Sequence, residues 1–431
     1  MIALLKAFQV ILALSILIFI HELGHFAWAK IFKIRVEKFY LFFDIGGKAL
    51  AKWKWGETEF GIGWLPLGGY CKISGMVDES MDMEQLQKPP QDWEFRSHPA
   101  WQRLFVMAGG VINNFIFAIV VYCLIMGIWG STYIPNQGSK IYAGDLAYEM
   151  GFRTGDEILA FDDYVPDDFG MLQINLARRQ VRTVKVLRGT DTLDIYIDQA
   201  KMPEVLSSAG MFDLAIPFVV DSVMDTSPNL SLCKGDRIIS IDTLHTEYMQ
   251  DAKAALQGYC SGSVDALLLR GADTVRTSLS VDSLGRIGVY TVMPRIETRR
   301  YNALQAIPAG FRLTGETIGG YIRDLGLLVN PDTGAYKSVG SFIAIGQVMP
   351  DSWDWYRFMY ILALLSIMLG VMNLLPIPGL DGGHILFTIY EMVSGRKPSD
   401  RFLYIAQIIG MVLLAALMLL AFGNDIGRLI K

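Results

Sequence analysis

Four apolar stretches along the chain are long enough to cross a lipid bilayer as helices. A bilayer core of about 30 Å requires roughly 20 apolar residues in one helix. Three stretches contain no Asp, Glu, Lys or Arg, namely residues 104–129, 358–375 and 402–422. A fourth apolar run, Val10 to Ile20, follows Lys6 and Gln9 near the start of the chain. The pattern predicts a polytopic α-helical membrane protein with four spans.

The first apolar run also permits a second interpretation, a cleaved signal peptide. Ala27-Trp28-Ala29 has the spacing of a small-residue cleavage site. However, His21, Glu22 and His25 lie between the apolar run and that site, and only one lysine precedes the run. These polar residues favour a retained span over a signal peptide.

The distribution of Lys and Arg near the span ends predicts an orientation. Eleven such residues lie on one side of the four spans: Lys30, Lys33, Arg35, Lys38, Lys48, Lys88, Arg96, Arg103, Arg396, Lys397 and Arg401. Six lie on the other side: Lys6, Lys140, Lys337, Arg357, Arg428 and Lys431. The excess predicts that residues 30–103 and 384–401 are cytoplasmic. Both termini and the long middle segment then face outward, which in a bacterial inner membrane means the periplasm.

The middle segment contains an internal repeat. Residues 155–162 and 235–242 both read G-D-x-I-[LI]-x-[FI]-D, 80 residues apart. This pattern is typical of a turn followed by a strand, and a single repeat indicates a duplicated domain. We therefore expect a membrane part at 1–130, two α+β domains at 131–202 and 203–294, an amphipathic connector at 295–356, and a second membrane part at 357–431.

Composition narrows the chemistry. The chain is 52% hydrophobic and 19% charged with a net charge of -5, so no basic excess is present to bind nucleic acid. The four cysteines, Cys71, Cys123, Cys233 and Cys260, show no C-x-x-C spacing. Any metal must therefore be held by His and carboxylate groups. Cys233 and Cys260 share the outward side and could pair, which the sequence leaves open.

The strongest local motif is His21-Glu22-Leu23-Gly24-His25. Positions i and i+4 share one helix face, so both imidazoles can point at one cation while Glu22 lies beside it. Ionisable groups at membrane depth cost about 2.5–3.5 kcal/mol each, so three of them in five residues need a compensating partner. A zinc ion is the expected partner, and a structural histidine pair is the alternative. A catalytic zinc needs a third protein ligand from elsewhere.

The third ligand is expected where the third span breaks. Pro376, Pro378 and Gly379 interrupt the apolar run, and irregular backbone at membrane depth is tolerated only where protein or a water-filled cavity surrounds it. Such a break can direct Asp381 inward as an oxygen ligand. The first and third spans run in the same direction, so the topology brings Asp381 to the depth of His21 and His25.

Together, H-E-x-x-H in the first span, N-x-x-P-x-P-x-L-D-G from Asn373 and the intervening repeat resemble the site-2 protease family of intramembrane zinc metalloproteases, in particular its RseP type. The resemblance implies that His21, His25 and Asp381 bind zinc and that Glu22 is the catalytic acid/base. It implies that Asn373 holds the substrate backbone or the developing oxyanion. The two repeats resemble PDZ domains, which add an extended peptide to a sheet edge.

The resemblance also implies substrate-binding elements. Thr58 to Ser74, which includes Gly61 and Gly63, resembles a re-entrant β segment whose exposed edge would pair with an unwound substrate; an ordinary hairpin is the alternative. Asn113 could reach the bound peptide, or the Asn113-Asn114 amides could simply link helices. The family usually has Gly-Pro where this chain has Gly109-Gly110.

The expected function is hydrolysis of a peptide bond in the transmembrane segment of a single-span protein. The resemblance implies an anti-sigma factor already cut by an upstream site-1-type protease, or remnant signal peptides, with the PDZ-like pair as a size filter. A non-enzymatic scaffold with a structural zinc and a metal transporter are the rival interpretations. Neither rival requires a carboxylate at Glu22.

Overall fold

The computed structural model describes residues 1–66, 68–76, 89–208, 210–330 and 339–430. Lys88, Lys337 and Lys431 of the orientation argument and Leu67 of the expected β segment lie outside these residues. The chain divides into two compact units. Unit 1 comprises Met1–Gly130 with Arg300–Lys431, and unit 2 comprises Ser131–Arg299.

The described helices follow one another along the chain. In order they are α1 (Ile2–Ile31), α2 (Ala100–Ile128), α3 (Asp145–Glu149), α4 (Leu172–Arg178), α5 (Met202–Ser207), α6 (Met249–Gln257), α7 (Ala303–Val329), α8 (Phe342–Val348), α9 (Trp355–Leu374), α10 (Asp381–Ser394) and α11 (Asp400–Ile430).

The described strands are short. In order they are β1 (Val36–Leu41), β2 (Ala49–Trp55), β3 (Thr58–Gly63), β4 (Tyr70–Ile73), β5 (Ser131–Tyr133), β6 (Ile141–Ala143), β7 (Glu157–Phe161), β8 (Thr183–Arg188), β9 (Asp191–Tyr196), β10 (Phe212–Leu214), β11 (Val220–Val223), β12 (Arg237–Ile241), β13 (Leu244–His245), β14 (Ser263–Arg270), β15 (Asp273–Ser280), β16 (Val289–Thr291) and β17 (Glu297–Arg299).

Four helices of unit 1 have the length and apolar composition of membrane spans. They are α1, α2, α9 and the part of α11 from Arg401 to Gly427. This confirms the expectation of a multi-pass membrane protein. Helix α1 continues without interruption through the His21–His25 motif to Ile31. The metal motif is therefore part of the first spanning helix.

Helix α2 lies at the centre of unit 1. Its buried residues Tyr122 and Ile125 pack against Ile367 of α9 and Ala306 of α7. Helix α7 begins at a capping box formed by Asn302 and Gln305, which satisfies backbone groups that the first turn would leave unpaired. Helix α2 thus holds both the long helix of the expected connector and the third span.

A four-stranded sheet follows α1 in unit 1, with the strand order β2-β3-β1-β4. Strand β3 pairs with β1 in parallel and with β2 in antiparallel orientation. The expected β segment thus forms β3 and β4. Gly61 and Gly63 lie on the interior strand β3, where Gly61 pairs with both β1 and β2 and Gly63 pairs with β2. The edge strand within this segment is β4.

Unit 2 contains two similar copies of an α+β substructure. In the first copy β7, β8 and β9 form a sheet and β6 pairs with β10; in the second, β13, β12, β14 and β15 form a sheet and β11 pairs with β16. Val205, Met211 and Phe212 belong to the first hydrophobic core. The first copy therefore extends to Leu214, and the boundary expected at residue 202 is too early because it separates β10 from its partner β6.

The repeat extends to individual hydrogen bonds. Asp156 accepts bonds from the Arg188 side chain at 2.8 Å, and Asp236 accepts equivalent bonds from Arg270 at 2.8 and 2.7 Å. Both carboxylates are fully buried. The Arg270 guanidinium holds the pKa of Asp236 below its usual range. The G-D motif shared by the two copies therefore supplies a buried aspartate that links the turn to the end of a later strand.

Candidate metal centre

Three side chains from two distant parts of the sequence converge inside unit 1. His21 and His25 lie on α1, and Asp381 is the first residue of α10. The two Nε2 atoms are 3.3 Å apart. Asp381 Oδ2 lies 3.3 Å from Nε2 of His21 and 3.4 Å from Nε2 of His25. These three are the metal-binding group found among the described residues. The structure therefore brings together the three residues expected from the sequence.

The two histidines share one face of α1 because they are one helical turn apart. Helix α2 can approach this face closely because glycines meet there. A Cβ on Gly110 would lie 2.5 Å from His25 Nε2 and 2.6 Å from His21 Cε1. A Cβ on Gly24 would overlap the Gly109 carbonyl. Gly109-Gly110 thus makes room for the imidazoles.

The orientation of His25 is set by the backbone of α2. Its Nδ1 donates a hydrogen bond to the Val106 carbonyl oxygen at 2.8 Å. In this tautomer Nε2 carries a lone pair and faces Asp381. Only 5% of the surface of His25 is exposed. Packing therefore fixes this orientation together with the hydrogen bond.

The donor set fits zinc. Two imidazole nitrogens and one carboxylate oxygen are ordinary zinc ligands, and ligands about 2.0–2.1 Å from a tetrahedral zinc lie about 3.3–3.4 Å from one another. The three distances here have those values. Asp381 Oδ2 is buried and has no hydrogen-bond donor among the described residues. Lone pairs at this spacing repel unless a cation lies between them.

Glu22 lies between the histidines in sequence and beside the cluster in space. Its carboxylate accepts a hydrogen bond from the backbone N–H of Cys71 on β4. Cys71 is opposite Phe39 in the antiparallel pair of β4 with β1. Since its N–H points to Glu22 and away from β1, the outer edge of β4 faces this carboxylate.

The break between α9 and α10 positions Asp381. Helix α9 ends at Leu374, and Gly379 adopts a positive φ of 98° that favours glycine. A Cβ on Gly382 would overlap the Leu375 carbonyl oxygen, so only glycine fits at this position of the turn. Asn373 lies just before the break, with Nδ2 3.3 Å from His21 Nε2. The expected Asn373 is therefore at the cluster.

The remaining expected residues lie elsewhere. Asn113 donates a hydrogen bond to the Ile20 carbonyl at 3.3 Å, which links α2 to α1. Gly61 and Gly63 are interior in the sheet, and Gly61 lies against the Tyr40 ring.

Sequence reasoning missed how Asn114 and Val106 contact the histidines. Asn114 Nδ2 lies 3.1 Å from His21 Nδ1. Val106, Gly110 and Asn114 are spaced by four residues on α2 and therefore share a face. The Gly109-Gly110 pair was the signal that this face meets another helix, but the sequence does not say which one.

Comparisons with known proteins identify the family of this chain. The family model described as Peptidase family M50 matches residues 9–417. A protein of Salmonella typhimurium (strain LT2), named "Regulator of sigma E protease", is 30% identical over 453 residues, covering 97% of this chain and 98% of its own length. "Regulator of sigma-E protease RseP" of Escherichia coli (strain K12) is 29% identical, with the same two coverages.

A protein of Xylella fastidiosa (strain 9a5c), named "Putative zinc metalloprotease", is 29% identical over 96% of this chain and 97% of its own length. The family match covers both the helix that carries the two histidines and the break that carries the aspartate. The apolar helices around these residues are candidate membrane spans. The chain therefore belongs to peptidase family M50, the site-2 proteases, and is a multi-pass zinc metalloprotease.

Proposed function

We propose that His21, His25 and Asp381 hold the catalytic zinc and that Glu22 is the general acid/base of peptide hydrolysis. The observation that carries the proposal is the triangle of two Nε2 atoms and one carboxylate oxygen, with sides of 3.3–3.4 Å. A bound zinc polarises the scissile carbonyl and lowers the pKa of its water.

Glu22 supplies the proton transfers. Its carboxylate accepts a proton from the attacking water and then delivers it to the nitrogen of the leaving amine, so the residue ends each cycle as it began. The hydrogen bond from the Cys71 N–H fixes one side of the carboxylate. This bond orients Glu22 towards the cluster without a second charged partner.

Asn373 is proposed to bind the reacting carbonyl. Its amide N–H group is 3.3 Å from His21 Nε2, at the break where backbone is irregular and the side chain is only half-buried. An amide donor in this place stabilises negative charge that develops on the substrate oxygen.

The substrate is proposed to bind as an added strand on β4. A helical substrate must unwind before its peptide bond is accessible, and an extended segment can pair with an open sheet edge. The outer edge of β4 faces Glu22 through Cys71, whereas β3 is interior. Gly61 and Gly63 then serve the packing of the sheet. A Cβ on Gly61 would overlap the Tyr40 ring, and a Cβ on Gly63 would overlap the Phe43 carbonyl group.

The proposed substrate is a single-span membrane protein, since both histidines lie on a candidate membrane-spanning helix and Asp381 follows the end of another. The names of the Salmonella and Escherichia relatives refer to regulation of sigma-E. They support an anti-sigma factor that an upstream site-1-type protease has already cut, and remnant signal peptides are a second class. We place the protein in a bacterial inner membrane with its termini and unit 2 in the periplasm, on the distribution of Lys and Arg.

A Glu22→Gln variant tests the enzymatic proposal. Zinc per chain is measured on the purified full-length protein, together with cleavage of a model single-span substrate. We expect Glu22→Gln to retain zinc and to lose at least about 10²-fold in cleavage rate, the usual contribution of a general base. Glu57→Gln is the matched control, because Glu57 is exposed and pairs with Lys30.

The rival functions give different results. A scaffold or transporter needs no proton transfer at Glu22, so wild type and Glu22→Gln would then be equally inactive as proteases. A transporter would also carry zinc into proteoliposomes. Cleavage by Glu22→Gln at the wild-type rate would contradict the proposed mechanism.

A further inference from the structure

A fully buried amide contacts the ring nitrogen of His21 that faces away from the cluster. Asn114 lies on α2 with 0% of its surface exposed. Its amide nitrogen is 3.1 Å from His21 Nδ1. The amide oxygen, Oδ1, is buried and has no hydrogen-bond partner among the described residues. The contact with His21 is therefore the side-chain hydrogen bond that the structure gives for this amide.

The two histidines differ in how their Nδ1 atoms are held. His25 Nδ1 faces the Val106 carbonyl oxygen, which can only accept a hydrogen bond. This contact forces the proton onto Nδ1 of His25. His21 Nδ1 faces a side-chain amide, which can present either an oxygen acceptor or a nitrogen donor. The tautomer of His21 therefore depends on the orientation of Asn114.

A metal ligand requires one of the two orientations. A histidine that binds zinc through Nε2 carries its proton on Nδ1 and usually donates it to an oxygen. The Asn114 nitrogen cannot accept that proton, whereas Oδ1 can. Because Oδ1 has no other partner among the described residues, turning it towards His21 breaks no other hydrogen bond of this amide.

The third span holds Asn114 in place. Ser366 on α9 donates a hydrogen bond to the Asn114 backbone oxygen at 2.8 Å. A Cβ on Gly370, one turn later, would lie 3.5 Å from the Asn114 Cβ. Helix α9, which leads to Asp381, thus also contacts Asn114 directly.

We propose that Asn114 is a positioning residue whose Oδ1 accepts the Nδ1–H of His21 and thereby selects the tautomer that presents Nε2 to zinc. The inference rests on the proposed zinc role of His21. It gives His21 the orienting acceptor that His25 receives from the Val106 backbone.

The test compares zinc affinities of full-length protein in detergent, measured by competition with a chromophoric chelator. Asn114→Leu keeps the volume and removes the acceptor, and we expect zinc to bind about 10- to 100-fold more weakly, the usual cost of losing an outer hydrogen bond. Asn114→Asp keeps an oxygen acceptor, and we expect zinc affinity at least equal to that of wild type. The absorption spectrum of the Co²⁺-loaded protein should change in Asn114→Leu and not in Asn114→Asp.

Asn113→Leu is the matched control for zinc affinity. It makes the same change one residue earlier on α2, where the amide bonds to the Ile20 carbonyl and not to a histidine. Unchanged zinc affinity in Asn114→Leu, or equal losses in Asn113→Leu and Asn114→Leu, would overturn the inference. Should Asn114→Leu fail to fold, Asn114→Asp decides: weaker zinc binding than wild type would count against the inference.

The zinc-affinity experiment tests the role of Asn114 separately from the proteolytic proposal. Zinc affinity is measured without substrate, so wild-type protein that binds zinc and cleaves nothing refutes the proteolytic proposal alone. Conversely, an active wild type with unchanged zinc affinity in Asn114→Leu refutes only the role of Asn114.

Discussion

At the scale of single residues, Gly110 decides whether both imidazoles fit beneath α2. We predict that Gly110→Ala weakens zinc binding at least tenfold, because the added methyl group must displace His25 Nε2 and His21 Cε1 from contacts of 2.5–2.6 Å. Overpacking of this kind typically costs about 1–3 kcal/mol. Chelator competition on the purified protein measures the effect.

A second glycine on the same helix provides the control for Gly110→Ala. A Cβ on Gly127 would meet the Ala306 Cβ at 3.5 Å, an ordinary contact. Gly127→Ala should therefore leave zinc affinity unchanged, although both variants raise helix propensity equally. A wild-type affinity in Gly110→Ala would mean that the imidazoles move freely and that packing does not fix them.

The sequence was sufficient for the residues that meet in the cluster and insufficient for those that orient them. His21, His25 and Asp381 carry chemistry that a membrane helix tolerates only with a partner, so residue type and depth single them out. Gly110 and Asn114 are unremarkable in a span. Their role arises from the pairing of α1 with α2, and apolar periodicity does not specify which helices pair.

At the scale of elements, the α9–α10 break is held from outside by the last span. A Cβ on Gly410 of α11 would overlap the Pro378 carbonyl oxygen. We predict that Gly410→Ala displaces the break, which carries Asn373 at one end and Asp381 at the other. The expected result is a fall in kcat/KM of about tenfold or more, since small misplacements of catalytic groups are costly. The cleavage assay on a single-span substrate measures it.

The matched control lies on the same helix. Gly423 has nothing within 4 Å of the position of an added Cβ, so Gly423→Ala should cleave as wild type does. Equal rates in Gly410→Ala and wild type would show that the break keeps its position without support from α11.

The strands of the sheet in unit 1 could be predicted from the hydrophobic pattern only in part. The segment from Thr58 to Ser74 was expected to be β-structured, and it forms β3 and β4. Strands β1 and β2 were not expected. Strand β1 has no clean alternation of polar and apolar residues, and in β2 only Lys52 to Trp55 alternate. Their pairing is stabilised by tertiary contacts such as Trp53 stacked on Phe60 at 6.1 Å. That pairing is what places Gly61 and Gly63 in the interior.

At the scale of the whole molecule, unit 2 is an insertion with adjacent ends. Strand β5 begins the unit and β17 ends it, and the two pair so that Ser131 is opposite Arg299. The repeat and its place between the second and third spans could be predicted from the G-D motif. The end of the first copy could not, because β10 is only three residues long and joins β6 across the whole copy.

Because Ser131 and Arg299 are ladder partners, unit 2 can be replaced by a short flexible linker without stretching the chain between Gly130 and Arg300. All nine tryptophans lie in unit 1, so their fluorescence reports whether that unit stays folded after the deletion. We predict that the shortened protein retains zinc, because His21, His25 and Asp381 all belong to unit 1.

The deletion also discriminates between the two roles open to the PDZ-like pair. If unit 2 excludes large extramembrane domains, the shortened protein will cleave an intact single-span substrate that the wild type leaves uncut, and its KM for the trimmed substrate will not change. If unit 2 captures an extended peptide, the shortened protein will instead show a raised KM for the trimmed substrate and no activity on the intact one. We expect the first result. The Leu214 carbonyl oxygen on the outer edge of β10 already accepts a hydrogen bond from the Gln250 side chain. This carbonyl is therefore not free to pair with an added peptide strand.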